Sequence, residues 1–217
     1  QCSRTLFLHK TQNNTQTTHV MEYVLVGVLG FFVGYGFEII PAQRTVGMKP
    51  ILGFTSGCLI IFSITAVCLT SGRFWTPDWV VFAGWILLPF ALSLFIHSLA
   101  FELPFKAILG ISGSRSHLVT TGSYSVVRHP TVPLLLLLLF SLLMISRASL
   151  LLVAIPIWIS MDVVWAMIQE QFVLLKKFPK YRDYQKSTPM LMPNLNRITF
   201  ELKKTWLFKT MAHFYAL

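Results

Sequence analysis

The sequence predicts an all-α polytopic membrane protein with about five transmembrane helices, the last two of which form a hairpin. Two features of the composition support this class: hydrophobic residues make up 54% of the 217-residue chain, and charged residues make up 12%. A soluble domain averages about 25% charged residues. Most of the charges also lie between long apolar runs, which is typical of helices that cross a bilayer.

Five apolar runs are the candidate spans. The second and fifth are long enough to cross about 30 Å of hydrocarbon at about 1.5 Å per residue. The fourth is short for a span, but a tight turn at residues 146–149 joins it to the fifth, so the outer ends of the two runs return to one side. In order, the runs cover residues 24–40, 51–69, 79–100, 131–145 and 150–168.

Two glycines in the first run, Gly30 and Gly34, have the spacing that lets two helices approach closely. We interpret them as part of a tight seam within the chain, because a protein of several helices has internal neighbours for its first helix. A dimer face is the alternative interpretation. The sequence predicts no particular oligomeric state.

The distribution of positive charge predicts the orientation. With five crossings, fourteen of the 18 lysine and arginine residues fall on the side that carries the C-terminus. The positive-inside rule makes that side cytoplasmic, in the endoplasmic reticulum or the bacterial inner membrane. The net charge of +10 is concentrated toward the C-terminus. It favours membrane lipid headgroups or an anionic cofactor as partners, and not nucleic acid.

Two polar clusters flank the fourth and fifth runs. The first ends in Arg128 and His129, directly before Pro130, and proline is tolerated where a helix begins because no intrahelical hydrogen bond is lost there. The second cluster begins at Glu170. Because the runs between them fold back, we expect both clusters at one membrane face, where they form a site. The alternative is that Arg128 is only an interfacial anchor and His129 a bystander.

Two motifs in these clusters resemble the C-terminal half of the isoprenylcysteine carboxyl methyltransferases. They are G-S-Y-S-V-V-R-H-P at residues 122–130 and E-Q-F-V-L-L-K-K-F-P-K-Y-R-D-Y at residues 170–184. The wider group includes phospholipid methyltransferases. The resemblance covers residues 118–193 and implies a membrane enzyme that uses S-adenosylmethionine. It also implies a lipid or a prenylated acceptor, with an isoprenylcysteine-type carboxylate as the methylated group.

The resemblance assigns Arg128, His129, Pro130 and Glu170 to the cofactor site. An arginine suits a carboxylate through bidentate hydrogen bonds, and tyrosines offer an aromatic surface with a hydroxyl. We predict Arg128 and Glu170 as catalytic residues and no metal site, since the three cysteines lack metal-ligand spacing. The predicted cofactor-binding residues are Leu118, Val119, Gly122, Tyr124, Arg128, His129, Pro130, Glu170, Tyr181 and Tyr184.

These assignments divide the chain into four parts. Residues 1–20 form a polar N-terminal segment, and residues 21–117 form a membrane region of three helices. Residues 118–193 form the methyltransferase-like cofactor-binding region. Residues 194–217 form a basic and aromatic C-terminal tail.

The chain departs from the family pattern at Leu134, where the family usually has glycine, and at three further positions. Val132 stands where the family usually has tyrosine, Gln171 replaces the second carboxylate of a paired acidic motif, and Pro179 replaces the usual glycine. Two alternatives therefore stay open. One is a catalytically inactive membrane relative of the same fold. The other is an NADPH-dependent protein like the sterol reductases, which share an Arg-His-Pro motif but normally have more spans before it.

Overall fold

Every regular element that the structure describes is a helix. The computed structural model describes residues 2–40, 48–98, 118, 120 and 123–192, with side chains from residue 21 onward. The all-α prediction is confirmed over these ranges. The helices are α1 (Cys2–Ile39), α2 (Met48–Thr70), α3 (Asp78–His97), α4 (Ser123–Val126), α5 (Thr131–Ser146) and α6 (Leu151–Gln169).

Four helical stretches in the described ranges are long and apolar enough to cross a membrane. They are Met21–Ile39, Met48–Thr70, Asp78–His97 and Leu151–Lys177. The predicted fourth run forms α5, which is apolar but has only 16 residues. This set is compatible with an integral membrane protein. Large apolar side chains cover its outer surface, such as Phe54 at 76% exposure and Trp79 at 70%.

The first helix begins earlier than the apolar pattern indicates. The polar residues 2–20 continue the same helix as the apolar ones, so the predicted boundary at residue 20 lies inside α1. Extending a helix that already exists adds one hydrogen bond for each residue fixed, which is much easier than nucleating a new one. The predicted tail, residues 194–217, lies outside the described residues.

The glycines of α1 form a seam within the chain, as predicted. A Cβ atom at Gly30 would lie 2.9 Å from Ile60 Cγ1 on α2. The Ser56 hydroxyl of α2 donates to the Gly30 carbonyl oxygen at 2.8 Å. Helix α1 also packs against α6, where Trp158 is 1% exposed and donates from Nε1 to the Val24 carbonyl oxygen at 3.3 Å. The core lies where α1, α2, α5 and α6 meet.

The loop before α3 is tied to the loop between α5 and α6. Phe74 N–H donates to the Arg147 carbonyl oxygen at 2.9 Å, and Ser149 N–H donates to the Gly72 carbonyl oxygen at 2.8 Å. Arg147 Nη2 also lies 2.7 Å from Asp78 Oδ1. These bonds place both loops at one end of the bundle. The end of α6 that carries Glu170 is therefore at the opposite end.

The backbone of Arg147 has a conformation that few residues other than glycine adopt without strain. Arg147 has φ 57°, in the left-handed region, and it is the C-cap of α5. A β-branched residue is strained there and glycine is not. We expect Arg147→Val to lower the free energy of unfolding by about 1–2 kcal/mol, and Arg147→Gly to be at least as stable as the wild type. Denaturant titration in detergent micelles measures both. Equal losses would mean that the contact with Asp78 matters and not the backbone conformation.

The C-terminal end of α6 changes its winding before it stops. A π-helical turn, Glu170–Leu174, follows α6 and leads into one last α-helical turn, Leu175–Lys177. Phe178 is extended, with φ −122° and ψ 105°, because the residue before a proline avoids helical geometry. The helical segment therefore ends at Lys177, two residues before Pro179. A short helix, α7 (Tyr181–Ser187), follows, which the sequence analysis did not predict.

Candidate functional site

The carboxylate of Glu170 is the centre of the candidate site. Arg128 Nη1 lies 3.0 Å from Oε1 and 3.2 Å from Oε2. His129 Nε2 lies 3.0 Å from Oε1. The Tyr181 hydroxyl donates to Oε1 at 3.0 Å, and Gln185 Nε2 donates to Oε2 at 2.8 Å. We call these five residues the Glu170 cluster.

The π turn begins at the residue whose carboxylate is buried. Single π-helical turns inside α-helices are rare and frequently occur at functional sites. Here the turn begins at Glu170, whose exposed fraction is 7%, while the next residue, Gln171, is exposed. One residue of the predicted acidic pair therefore faces inward and its neighbour faces outward. The missing second carboxylate at Gln171 is not part of the Glu170 cluster.

The segment with Arg128 and His129 is held through its backbone. Arg128 N–H donates to the Pro189 carbonyl oxygen at 2.9 Å, and His129 N–H donates to the Met190 carbonyl oxygen at 3.1 Å. Pro130 follows as the N-cap residue of α5, one position earlier than the sequence predicts. The first polar cluster is therefore joined to the chain just after α7 by main-chain bonds as well as by side chains.

Helix α7 supplies two donors to Glu170 from one of its faces. Tyr181 and Gln185 are four residues apart, so their side chains lie one turn apart on the same side. Burial, and then the negative charge of Glu170, raise the pKa of Tyr181, so its phenol stays protonated and donates. The Tyr184 hydroxyl donates to the Tyr124 carbonyl oxygen, and the Tyr184 ring packs edge-on against Tyr181 at 5.7 Å.

The charges of the site are shielded from water. The side chains of Arg128 and Glu170 are 11% and 9% exposed. Removing two charges from water is costly, and a buried pair persists only when hydrogen bonds satisfy its remaining polar atoms. Both oxygens of Glu170 accept hydrogen bonds here. Because an ionised carboxylate only accepts, His129 donates from Nε2.

One donor of the arginine is left over. Arg128 Nε is buried and has no hydrogen-bond partner in the part of the chain that the structure describes. Buried polar groups are almost always paired, so this N–H is able to donate to an acceptor from outside the described residues. An anionic ligand with oxygen atoms, such as a carboxylate, has the right chemistry to fill this position.

Most of the predicted site residues are brought together. Tyr124, Arg128, His129, Tyr181 and Tyr184 surround or adjoin Glu170 through the contacts above. Leu118 is partly buried, and Val119 and Gly122 lie outside the described residues. Sequence analysis missed Gln185. Its spacing of four residues from Tyr181 was the available signal, but using it required knowing that α7 is a helix.

The fold and the site are compatible with a helical membrane protein that holds a buried, hydrogen-bonded carboxylate. The chain is all-helical over its described ranges, and it has four helices able to cross a membrane. The buried carboxylate of Glu170 accepts hydrogen bonds from residues up to 42 positions away. Comparison of the chain with protein-family models, with curated proteins and with solved structures gives no match.

Proposed function

We propose that the chain is a membrane-embedded methyltransferase that uses S-adenosylmethionine and acts on a lipid or prenylated acceptor, with an isoprenylcysteine-type carboxylate as the acceptor group. The observation that carries the proposal is the contact of Arg128 and His129 with Glu170. These residues belong to the two motifs that resemble the isoprenylcysteine carboxyl methyltransferases. Their side chains meet at 3.0 Å although 41 or 42 positions separate them in sequence.

The proposed chemistry makes few demands on the protein. When bound, S-adenosylmethionine supplies a methyl group on a sulfonium that is its own leaving group. The residues of the site then have to bind, align and exclude water. Arg128 is suited to hold the cofactor carboxylate, because its Nε has no hydrogen-bond partner among the residues that the structure describes. A carboxylate acceptor is already deprotonated at neutral pH, so the site needs no general base for it.

The side chain of Glu170 acts through its neighbours in this proposal. Its two oxygens already accept from Arg128, His129, Tyr181 and Gln185. A carboxylate with these partners fixes the orientation of each donor. We therefore assign Glu170 the task of holding Arg128 and His129 in the geometry that binds the cofactor.

The departures from the family pattern at Val132, Gln171 and Pro179 leave this cluster intact. Val132 is 5% exposed and packs as an apolar core residue at the start of α5. Gln171 is exposed, and Pro179 lies in the link between the end of the long helix and α7. None of the three contributes a hydrogen bond to Glu170 among the described residues. This placement favours a working site over the inactive relative.

We also infer that α5 is a fifth crossing and forms a hairpin with α6. Helix α5 begins two residues after His129, and α6 ends directly before Glu170. The two helices contact each other, and the loop between them is tied to the opposite end of the bundle. On this topology the site faces the cytoplasm, as the charge distribution predicts, in the endoplasmic reticulum or the bacterial inner membrane.

The test of the function is calorimetric titration of the purified protein in detergent with two ligands, S-adenosylhomocysteine and NADPH. The methyltransferase proposal predicts binding of S-adenosylhomocysteine only. Binding of NADPH only would identify a reductase. Binding of neither would favour an inactive relative of the same fold.

Substitution of His129 should weaken binding of the ligand. His129→Ala removes a buried donor and is expected to weaken binding of S-adenosylhomocysteine by about 1–3 kcal/mol, the usual cost of such a loss. His97→Ala is the matched control, because His97 is exposed at the end of α3. Calorimetry on the two variants measures the difference. Wild-type affinity in His129→Ala would remove His129 from the cofactor site.

A further inference from the structure

A second buried carboxylate lies beside the Glu170 cluster. Glu38, near the end of α1, is 8% exposed, and among the described residues Glu38 and Glu170 are the two carboxylates that are almost fully buried. The chain has only eight acidic residues. A charged group is buried at high cost unless it has partners. A buried carboxylate in a helix of this kind is therefore a candidate for a specific task.

Both hydrogen-bond donors of Glu38 among the described residues belong to α6. Trp165 Nε1 and Gln169 Nε2 each donate to Glu38 Oε1 at 3.3 Å. These donors are four residues apart, so they lie on one face of the helix. Gln169 is the last residue before the π turn that begins at Glu170. Glu38 thus binds the helix at the position where its winding changes.

Further contacts fix the same part of α6. The Trp165 ring packs edge-on against Phe31 and Tyr35 of α1, with ring centroids 6.1 Å apart in both pairs. Helix α1 also contacts the π turn itself. A π turn is rare because α-helical winding is favoured in most sequences. The packing and hydrogen bonds of α1 stabilise α6 immediately before the π turn.

We infer that Glu38 is a positioning residue for the site: by accepting hydrogen bonds from Trp165 and Gln169, it holds the turn that orients Glu170 toward Arg128 and His129. The inference rests on the proposed function for its ligand-binding consequence. It assigns to the first helix a part in a site otherwise built from residues 124–190. Glu38 acts through the hydrogen bonds that Oε1 accepts, and its charge is not required.

The geometry allows this mechanism to be separated from an electrostatic one. Both donors use the same oxygen of Glu38, so the single carbonyl oxygen of a glutamine can accept both. Leucine has a similar size and accepts neither. Glu38→Gln therefore tests the charge, and Glu38→Leu tests the hydrogen bonds. Both variants remove the carboxylate charge, so the difference between them isolates the hydrogen bonds that Oε1 accepts.

The experiment measures two quantities for the wild type and both variants in the same detergent. One is the affinity for S-adenosylhomocysteine, and the other is the hydrogen exchange of the backbone amides of residues 170–177. We expect Glu38→Gln to bind within about twofold of the wild type and to exchange at the same rate. Glu38→Leu should bind about tenfold more weakly, a loss of about 1.4 kcal/mol, and exchange faster at these amides.

Each other outcome has a defined meaning. Wild-type behaviour of Glu38→Leu in both measurements overturns the inference. Equal losses in Glu38→Gln and Glu38→Leu overturn it as well, because the charge would then be what matters. If Glu38→Leu does not fold, Gln169→Leu removes one donor only and must still speed exchange at residues 170–177. If the wild type binds no S-adenosylhomocysteine, the proposed function fails, while the exchange data still decide the role of Glu38.

Discussion

Glu170→Ala is expected to lower the free energy of unfolding by about 3–5 kcal/mol, the range observed when one partner of a buried ion pair is removed. The substitution leaves the guanidinium of Arg128, 11% exposed at its side chain, without its counter-charge. It also leaves His129, Tyr181 and Gln185 without the acceptor that each now bonds. Denaturant titration in detergent micelles measures the loss, and binding of S-adenosylhomocysteine should fall with it.

Gln171→Ala is the matched control for this prediction. It changes the next residue of the same π turn, but Gln171 is exposed, and exposed substitutions usually shift stability by no more than about 0.5 kcal/mol. A comparable loss in the two variants would mean that the π turn, and not the Glu170 cluster, is sensitive to substitution. A small loss in Glu170→Ala alone would contradict the description of the cluster as a buried charge network.

The helices of the bundle could be predicted because membrane spans have a strong compositional signal. The runs at residues 51–69 and 79–100 lie within one to three residues of α2 and α3 as the structure has them. The contact between Arg128 and Glu170 was also predictable. It needs only a turn that brings the ends of two consecutive apolar runs back together, and both residues stand at such ends.

The rest of the site depends on features without a compositional signal. The π turn at residues 170–174 has the same apolar and polar pattern as an α-helix, so the sequence does not distinguish them. The segment that forms α7 is polar and short, so its sequence does not indicate a helix. Without that helix, the sequence does not show that Tyr181 and Gln185 lie on one face. Glu38 was missed because the first run was interpreted as uniformly apolar, although an acidic residue within such a run is itself the signal for a buried site.

Gly34→Ala is the substitution in the helix seam with the largest expected effect. A Cβ atom at Gly34 would overlap Trp165 at Cη2 and Cζ3 and would lie 2.9 Å from Ser56 Oγ. The indole cannot move away freely, because it also donates to Glu38. We expect a loss of about 1–3 kcal/mol in the free energy of unfolding, typical of overpacked cores, although alanine alone favours a helix over glycine.

Gly36→Ala is the internal control, two residues further along α1. A Cβ atom there meets no atom of the described chain within 4 Å, so only helix propensity remains and stability should rise by up to about 1 kcal/mol. The two variants should therefore change stability in opposite directions. A loss in both would mean that α1 is sensitive to any change of glycine in this turn.

A double substitution isolates the clash at Gly34. Trp165→Phe removes the ring atoms that a Cβ at Gly34 would overlap, along with the N–H that bonds Glu38. If the overlap is the cause, adding Gly34→Ala to Trp165→Phe should cost at least about 1 kcal/mol less than adding it to the wild type, a coupling within the range seen for residues in contact. Additive losses would show that Ser56, or the backbone of α2 behind it, is the obstacle. In that case α1 packs against α2 more tightly at this turn than against α6.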